Sequence, residues 1–147
     1  RGVYPLWVAV EEMTFGTLSQ FYKNMLEADR EGLAQQYFGR KSVYIENYLQ
    51  CAVVARNIAA HGGRFYNRTR LSPAVKLPLM MRRNNVDNSS PFAYFYAIFE
   101  LLPDADKFSY IREMEKLFHK YPAAELFRMG FPVNWRALLN VPSESDT

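Results

Sequence analysis

"SVYIENYLQCAVVARNIAAH", Ser42 to His61, followed at once by Gly62-Gly63, decides the fold. The stretch holds no Pro or Gly and carries apolar side chains at three-to-four spacing. Ser42 is a fit N-cap and the glycine pair a fit stop, so the pattern predicts one long helix. On a wheel of about 100° per residue, Ile45, Tyr48, Leu49, Ala52 and Ala59 share one face. Arg56 falls in the middle of that face, while Glu46, Asn47, Gln50, Asn57 and His61 occupy the other side. A guanidinium centred on an apolar stripe is costly unless something pairs with it. Three partners can meet it: a carboxylate elsewhere in the bundle, a subunit interface, or a bound phosphate.

The neighbouring segments are helical too. "YPLWVAVEEM" starts with Pro5 at a first helical position and spaces Leu6, Trp7, Val10 and Met13 by three to four. "TFGTLSQFYKNML" has Thr14 as N-cap and Phe15, Leu18, Phe21, Tyr22 and Met25 as its apolar face. In "DREGLAQQYFG", Asp29 is a cap and Gly39 a stop. After the long helix, residues 62–90 form an irregular arm whose Pro73, Pro78, "NN" and "DNSS" break any period. "PFAYFYAIFELL" predicts a helix buried on every side and ended by Pro103. "DADKFSYIREMEKLFHKY" predicts an amphipathic helix with Phe108, Ile111, Met114, Glu115, Leu117 and Phe118 on its stripe and flank. "PAAELFRMGFPVNWRALL" reads as two short helices broken near Gly130–Pro132, and "NVPSESDT" as a polar tail. No alternating β pattern, repeat or low-complexity tract occurs. The expectation is an all-α bundle with one long basic excursion, a domain over 1–140 and a tail over 141–147.

Composition narrows the function classes. The chain has 147 residues, 49% hydrophobic and 16% aromatic, enough to bury a core. Its one cysteine, Cys51, excludes an internal disulfide and reads as a small buried residue rather than a reactive thiol. No zinc spacing or nucleotide-cradling glycine loop occurs, so no metal or cofactor is expected. The lone cysteine predicts a reducing, cytoplasmic setting. The sequence holds neither an apolar run of the ~20 residues that span a bilayer nor a basic-then-apolar secretory signal. Net charge is only +3, but its distribution is uneven. Between Glu46 and Asp87 there is no acid, whereas Arg56, Arg64, Arg68, Arg70, Lys76, Arg82 and Arg83 all fall there. A one-sign segment in a balanced chain predicts a polyanion partner, with a solvated basic loop as the plainer alternative.

"RNIAAHGGRFYNR", Arg56 to Arg68, concentrates the chemistry. His61 sits in the last helical turn, where unpaired carbonyls favour a cation. Histidine exchanges protons near neutrality. Asn57 lies one turn before it on the same face, placed to orient the ring or a substrate. Cleaving RNA without a metal needs a proton-transfer group, a cation for the charge on phosphorus, and donors for the backbone. Histidine, arginine and an arginine-rich loop are the residue types for those tasks, and the arginine fork suits phosphate oxygens.

The same residues carry a resemblance. "RNIAAH" has the R-x-x-x-x-H form of HEPN ribonucleases, with a polar residue, Asn57, at the variable second position. The ordered set "YPLWVAVEEMTFGTLSQFYKNM", "VARNIAAHGGRFYNR" and "MGFPVNWRALL" resembles the Abi-like family of bacterial abortive-infection proteins (AbiD/AbiF type). The resemblance implies an all-helical HEPN domain and a toxin-like endoribonuclease in phage defence. It also implies a homodimer whose two motif helices line one cleft, and an antitoxin or other regulatory partner. That dimer suits the wheel, because Arg56 and His61 point about 140° apart on an ideal helix. By position, Arg56 and His61 would be the catalytic pair and Asn57 their helper. Arg64, Tyr66 and Asn67, in "R-x-x-N", would contact RNA or be structural, with Arg68 and Arg70 adding phosphate contacts. Members of the family are longer at the N-terminus, so the chain reads as the C-terminal portion of a longer protein.

Overall fold

The computed structural model describes Val8 and residues 13–140. The helix expected over 4–13 (save Val8 and Met13) and the tail 141–147 lie outside the described residues. Seven α-helices, one 3-10 turn and no strand occur among those described. They are α1 (Phe15–Lys23), α2 (Glu27–Phe38), α3 (Ser42–Ala60), α4 (Leu79–Arg83), α5 (Pro91–Leu101), α6 (Asp104–Lys120) and α7 (Trp135–Leu138), with the 3-10 turn at Leu126–Met129 before α7.

The predicted stops and one of the three predicted caps, Thr14, are where the sequence puts them, and Ser90 adds a cap the sequence reading did not name. The Thr14 hydroxyl accepts from Thr17 N at 3.1 Å, and Ser90 Oγ accepts from Ala93 N at 3.2 Å to start α5. Gly39 ends α2 at φ 59°, a left-handed position that glycine takes at little cost. Two caps differ. α2 begins at Glu27 with Leu26 as N-cap, so Asp29 lies in its first turn, where its charge suits the dipole. α3 is preceded by Lys41, and Ser42 is its first helical residue. Its free amide is taken by Glu31 of α2, whose Oε2 accepts from Ser42 N at 2.8 Å.

α3 is the central element. It packs on α1, α2 and, most extensively, α5. Tyr48, Ile45, Phe92, Tyr94, Met81 and Ile111 are essentially sealed from solvent. Each such side chain contributes about 2 kcal/mol of burial.

The buried face of α3 differs from the one on the wheel. Asn47 and Cys51 are inside along with Ile45, Tyr48, Ala52 and Ala55, whereas Arg56 and Ala59 are exposed. The face has turned toward Asn47 because the arm covers that side. Leu71, Val75, Leu77, Met81 and Val86 of the arm all join the core. The arm is therefore not an excursion. It is irregular apart from α4, but it is a strap laid across α3 and α5.

Three apolar faces are less buried than their patterns imply. On α1 only Ser19 and Tyr22 are inside, and Phe21 stays half exposed. Phe95 and Ile98 of α5 are only partly covered, because that side opens onto a groove. On α6, Ile111 and Met114 are buried while Phe108 and Leu117 are exposed. The C-terminal break is as predicted: Gly130 turns at φ 77°. It also lies so close to Ser90 that an added Cβ would meet the serine Cβ at 2.5 Å.

Candidate nucleic-acid interface

The end of α3 builds the site. His61 is the C-cap residue. Gly62 N donates to Ala59 O at 3.1 Å and Gly63 N to Ile58 O at 2.7 Å, with Gly62 at φ 66°. This pair of bonds is a Schellman motif, and it satisfies carbonyls that the last turn would leave bare. Both glycines are required: Gly62 by its left-handed backbone, Gly63 because a Cβ there would lie 2.8 Å from Ile58 Cγ2. The motif leaves His61 exposed at the helix end. Its ring has no hydrogen bond or ion pair among the described residues.

Arg56 is exposed as well, which removes the expected cost of a buried charge. Its Nη1 donates to Asn57 Oδ1 at 3.1 Å, and no carboxylate pairs with it among the described residues. The guanidinium stands at an open groove of about 630 Å³. Phe15, Leu49, Ala52, Phe65 and Phe95 contribute to the lining, and Arg56 is its one charged member among the described residues. His61 does not line this groove. Arg56 and Asn57 are thus brought together within one chain, whereas His61 lies outside the groove at Arg56.

The arm follows directly. Phe65 stacks toward Phe95 with ring centroids 5.7 Å apart, fixing the first turn after the glycines. Asn67 adopts φ 57°, a conformation asparagine tolerates better than most residues. The Tyr66 hydroxyl accepts from Glu125 N at 3.4 Å, tying the arm to the C-terminal turn. Tyr66 is half-buried in this turn, while Arg64, Asn67, Arg68 and Arg70 are exposed.

Further along, four side chains of α3 and α5 hold the strap by its backbone. Asn47 Nδ2 donates to Ala74 O at 3.0 Å, and Asn47 Oδ1 accepts from Lys76 N at 2.6 Å. The Tyr48 hydroxyl donates to Lys76 O at 3.1 Å. Pro73 O accepts from the Tyr94 hydroxyl at 2.7 Å and from Cys51 Sγ at 3.7 Å. Burial pushes the Cys51 thiol up to about 12, which makes it an inert packing group. Asn47 is the residue that sequence reasoning misplaced. Its signal is a lone amide between the core positions Ile45 and Tyr48, legible only once a covering segment is known.

Among the described residues no three His, Cys, Asp or Glu side chains are grouped to share a metal ion. His119 Nδ1 lies 2.8 Å from Glu115 O of its own helix, a local contact remote in sequence from the motif. No helix among the described residues is long and apolar enough to cross a membrane.

Residues 1–67 match the family model for Abi-like protein (Abi_2). The Abi-like match takes in α1, α2, α3, Arg56, Asn57, His61 and the "R-x-x-N" segment. It stops before Arg68 and the rest of the strap, so the resemblance read in "MGFPVNWRALL" lies beyond it. No curated protein and no solved structure matches the chain.

Proposed function

We propose that the chain is a metal-independent endoribonuclease of the HEPN type, serving phage defence by abortive infection. Its composite site would form between two copies. The observation that carries the reading is the end of α3. An arginine without a carboxylate partner and an unbonded histidine stand exposed in the last turns of the helix, next to an acid-free basic arm. The Abi-like match over residues 1–67, which spans the motif, supports the defence role.

In this reaction the 2′-oxygen of RNA attacks the adjacent phosphorus and the bond to the 5′-oxygen breaks. His61 takes up or delivers a proton at the 2′- or 5′-oxygen, and Arg56 meets the charge that gathers on the phosphoryl oxygens. Asn57 holds the Arg56 guanidinium in place. Arg64, Arg68 and Arg70 grip flanking phosphates, and Tyr66 and Asn67 shape the turn that presents them. The products are a 2′,3′-cyclic phosphate and a 5′-hydroxyl. A second copy would supply the missing half of the site, since His61 does not line the groove at Arg56.

That separation also favours a second reading, an RNA-binding module that does not cut. Incubating the protein with mixed RNAs in EDTA separates the two. Cleavage that His61→Ala and Arg56→Ala each lower by at least about 100-fold, with RNA affinity retained for His61→Ala, supports the nuclease. Intact RNA at every protein concentration leaves only the binding module.

A further inference from the structure

Resting on the reading of this protein as an RNA-binding one, we propose that the distal strap, Lys76, Arg82 and Arg83, is a second phosphate-contacting subsite. It would add phosphate contacts to those of the Arg/His end of α3. The family match does not reach these residues.

Ion pairing is uneven in this fold, and outside the acid-free segment Lys23, Lys41, Arg112 and Lys120 are the described lysines and arginines left without a carboxylate. Arg30, Arg40, Lys107, Lys116, Arg128 and Arg136 each pair with a carboxylate. Arg56, Arg64, Arg68, Arg70, Lys76, Arg82 and Arg83 are all exposed, and none pairs with a carboxylate among the described residues. Acids elsewhere serve as local partners, whereas the strap is kept free of them until Asp87, which accepts from Ser89 N at 2.8 Å. Unneutralised like charges repel, so such a row is retained at a cost that a bound polyanion removes.

The row is also held rigidly. The backbone at Lys76 is fixed on both sides, its N–H by Asn47 and its carbonyl by Tyr48. Val75 N donates to Asn88 O at 2.8 Å, and Met81, in the middle of α4, is fully buried. Arg82 and Arg83 thus project from an anchored turn. A basic loop that merely solubilises needs no buried asparagine beneath it. A surface that must hold successive phosphates gains from having its ordering entropy settled beforehand.

The test measures affinity of the protein for a single-stranded RNA across a salt series. The variant is Lys76→Gln/Arg82→Gln/Arg83→Gln, and the control is Lys23→Gln/Arg112→Gln/Lys120→Gln, which removes three exposed charges elsewhere. The strap variant should flatten the slope of log affinity against log salt by about 2, near 0.7 for each phosphate it no longer neutralises. The control should leave the slope close to wild type. Equal slopes for variant and control would overturn the subsite, as would a variant that loses binding to phosphatidylserine vesicles but not to RNA. Because the readout is binding, it stands apart from cleavage. A flattened slope without cleavage in EDTA sinks the nuclease and keeps the subsite, and cleavage with an unchanged slope does the reverse.

Discussion

Gly62 shows how one residue can set the geometry of a site. At φ 66° it turns the chain out of α3 and leaves His61 at the helix end. A Cβ there meets no atom within 4 Å, so the penalty for alanine is purely of backbone conformation. Gly62→Ala should cost about 1 kcal/mol, read as a lowered urea midpoint with unchanged slope. Asparagine, which enters the left-handed region more easily, should recover part of it. Asn47 makes the opposite point. Replacing it by alanine strands Ala74 O and Lys76 N beneath the strap, which should cost about 2 kcal/mol and raise amide exchange at Val75–Leu77. A loss near zero would mean that the strap is held by its apolar side chains alone. The glycine pair was legible in the sequence because its chemistry is local. Asn47 was not, since its partners lie 27 and 29 residues away.

Among the elements, α3 carries a cap it does not own. Glu31 Oε2 accepts from Ser42 N, and Gln35 Nε2 donates to Glu31 Oε1 at 3.1 Å. The Ser42 backbone N–H first, then its hydroxyl and the Gln35 amide, hold the Glu31 carboxyl down at about 2, against an ordinary 4.5. A carboxyl lowered on folding contributes stability above its unfolded value and loses it as pH falls toward the folded one. Between about pH 4.5 and about pH 2, wild-type protein should therefore lose stability more steeply than Glu31→Gln. Chemical denaturation at a series of pH values checks this, and parallel curves would show that the cap is inert. The long helix was readable from its period and its stop. Its starting cap was not, because a serine at the right position hid a glutamate from another helix. The apolar stripes of α1 and α6 misled for a related reason: periodicity marks an apolar face but not whether anything lies against it.

At the scale of the whole molecule, the C-terminal turn locks the bundle. Phe131 lies 4.8 Å from Phe92, 5.4 Å from Phe118 and 5.5 Å from Trp135 (centroid to centroid), joining α5, α6 and α7 around one ring. Phe131→Ala should cost about 4 kcal/mol, visible as a large fall in melting temperature. Phe131→Leu should cost less than half as much. If the alanine variant melts like wild type, α7 is not needed to close the core. The turn at Gly130 serves this arrangement, since its close approach to Ser90 brings Phe131 against the start of α5.

The sequence alone determined the all-helical class, the span and stop of α3, the break at Gly130 and the one-sign charge of residues 47–86. Each depends on neighbours within a few residues, where helical period, left-handed glycine and charge order act directly. Only the tertiary structure decided which side of α3 faces inward, that Arg56 is exposed, and that the basic arm is an anchored strap. Those outcomes turn on which distant segment wins the burial of a given face, a competition among apolar surfaces that no local pattern encodes.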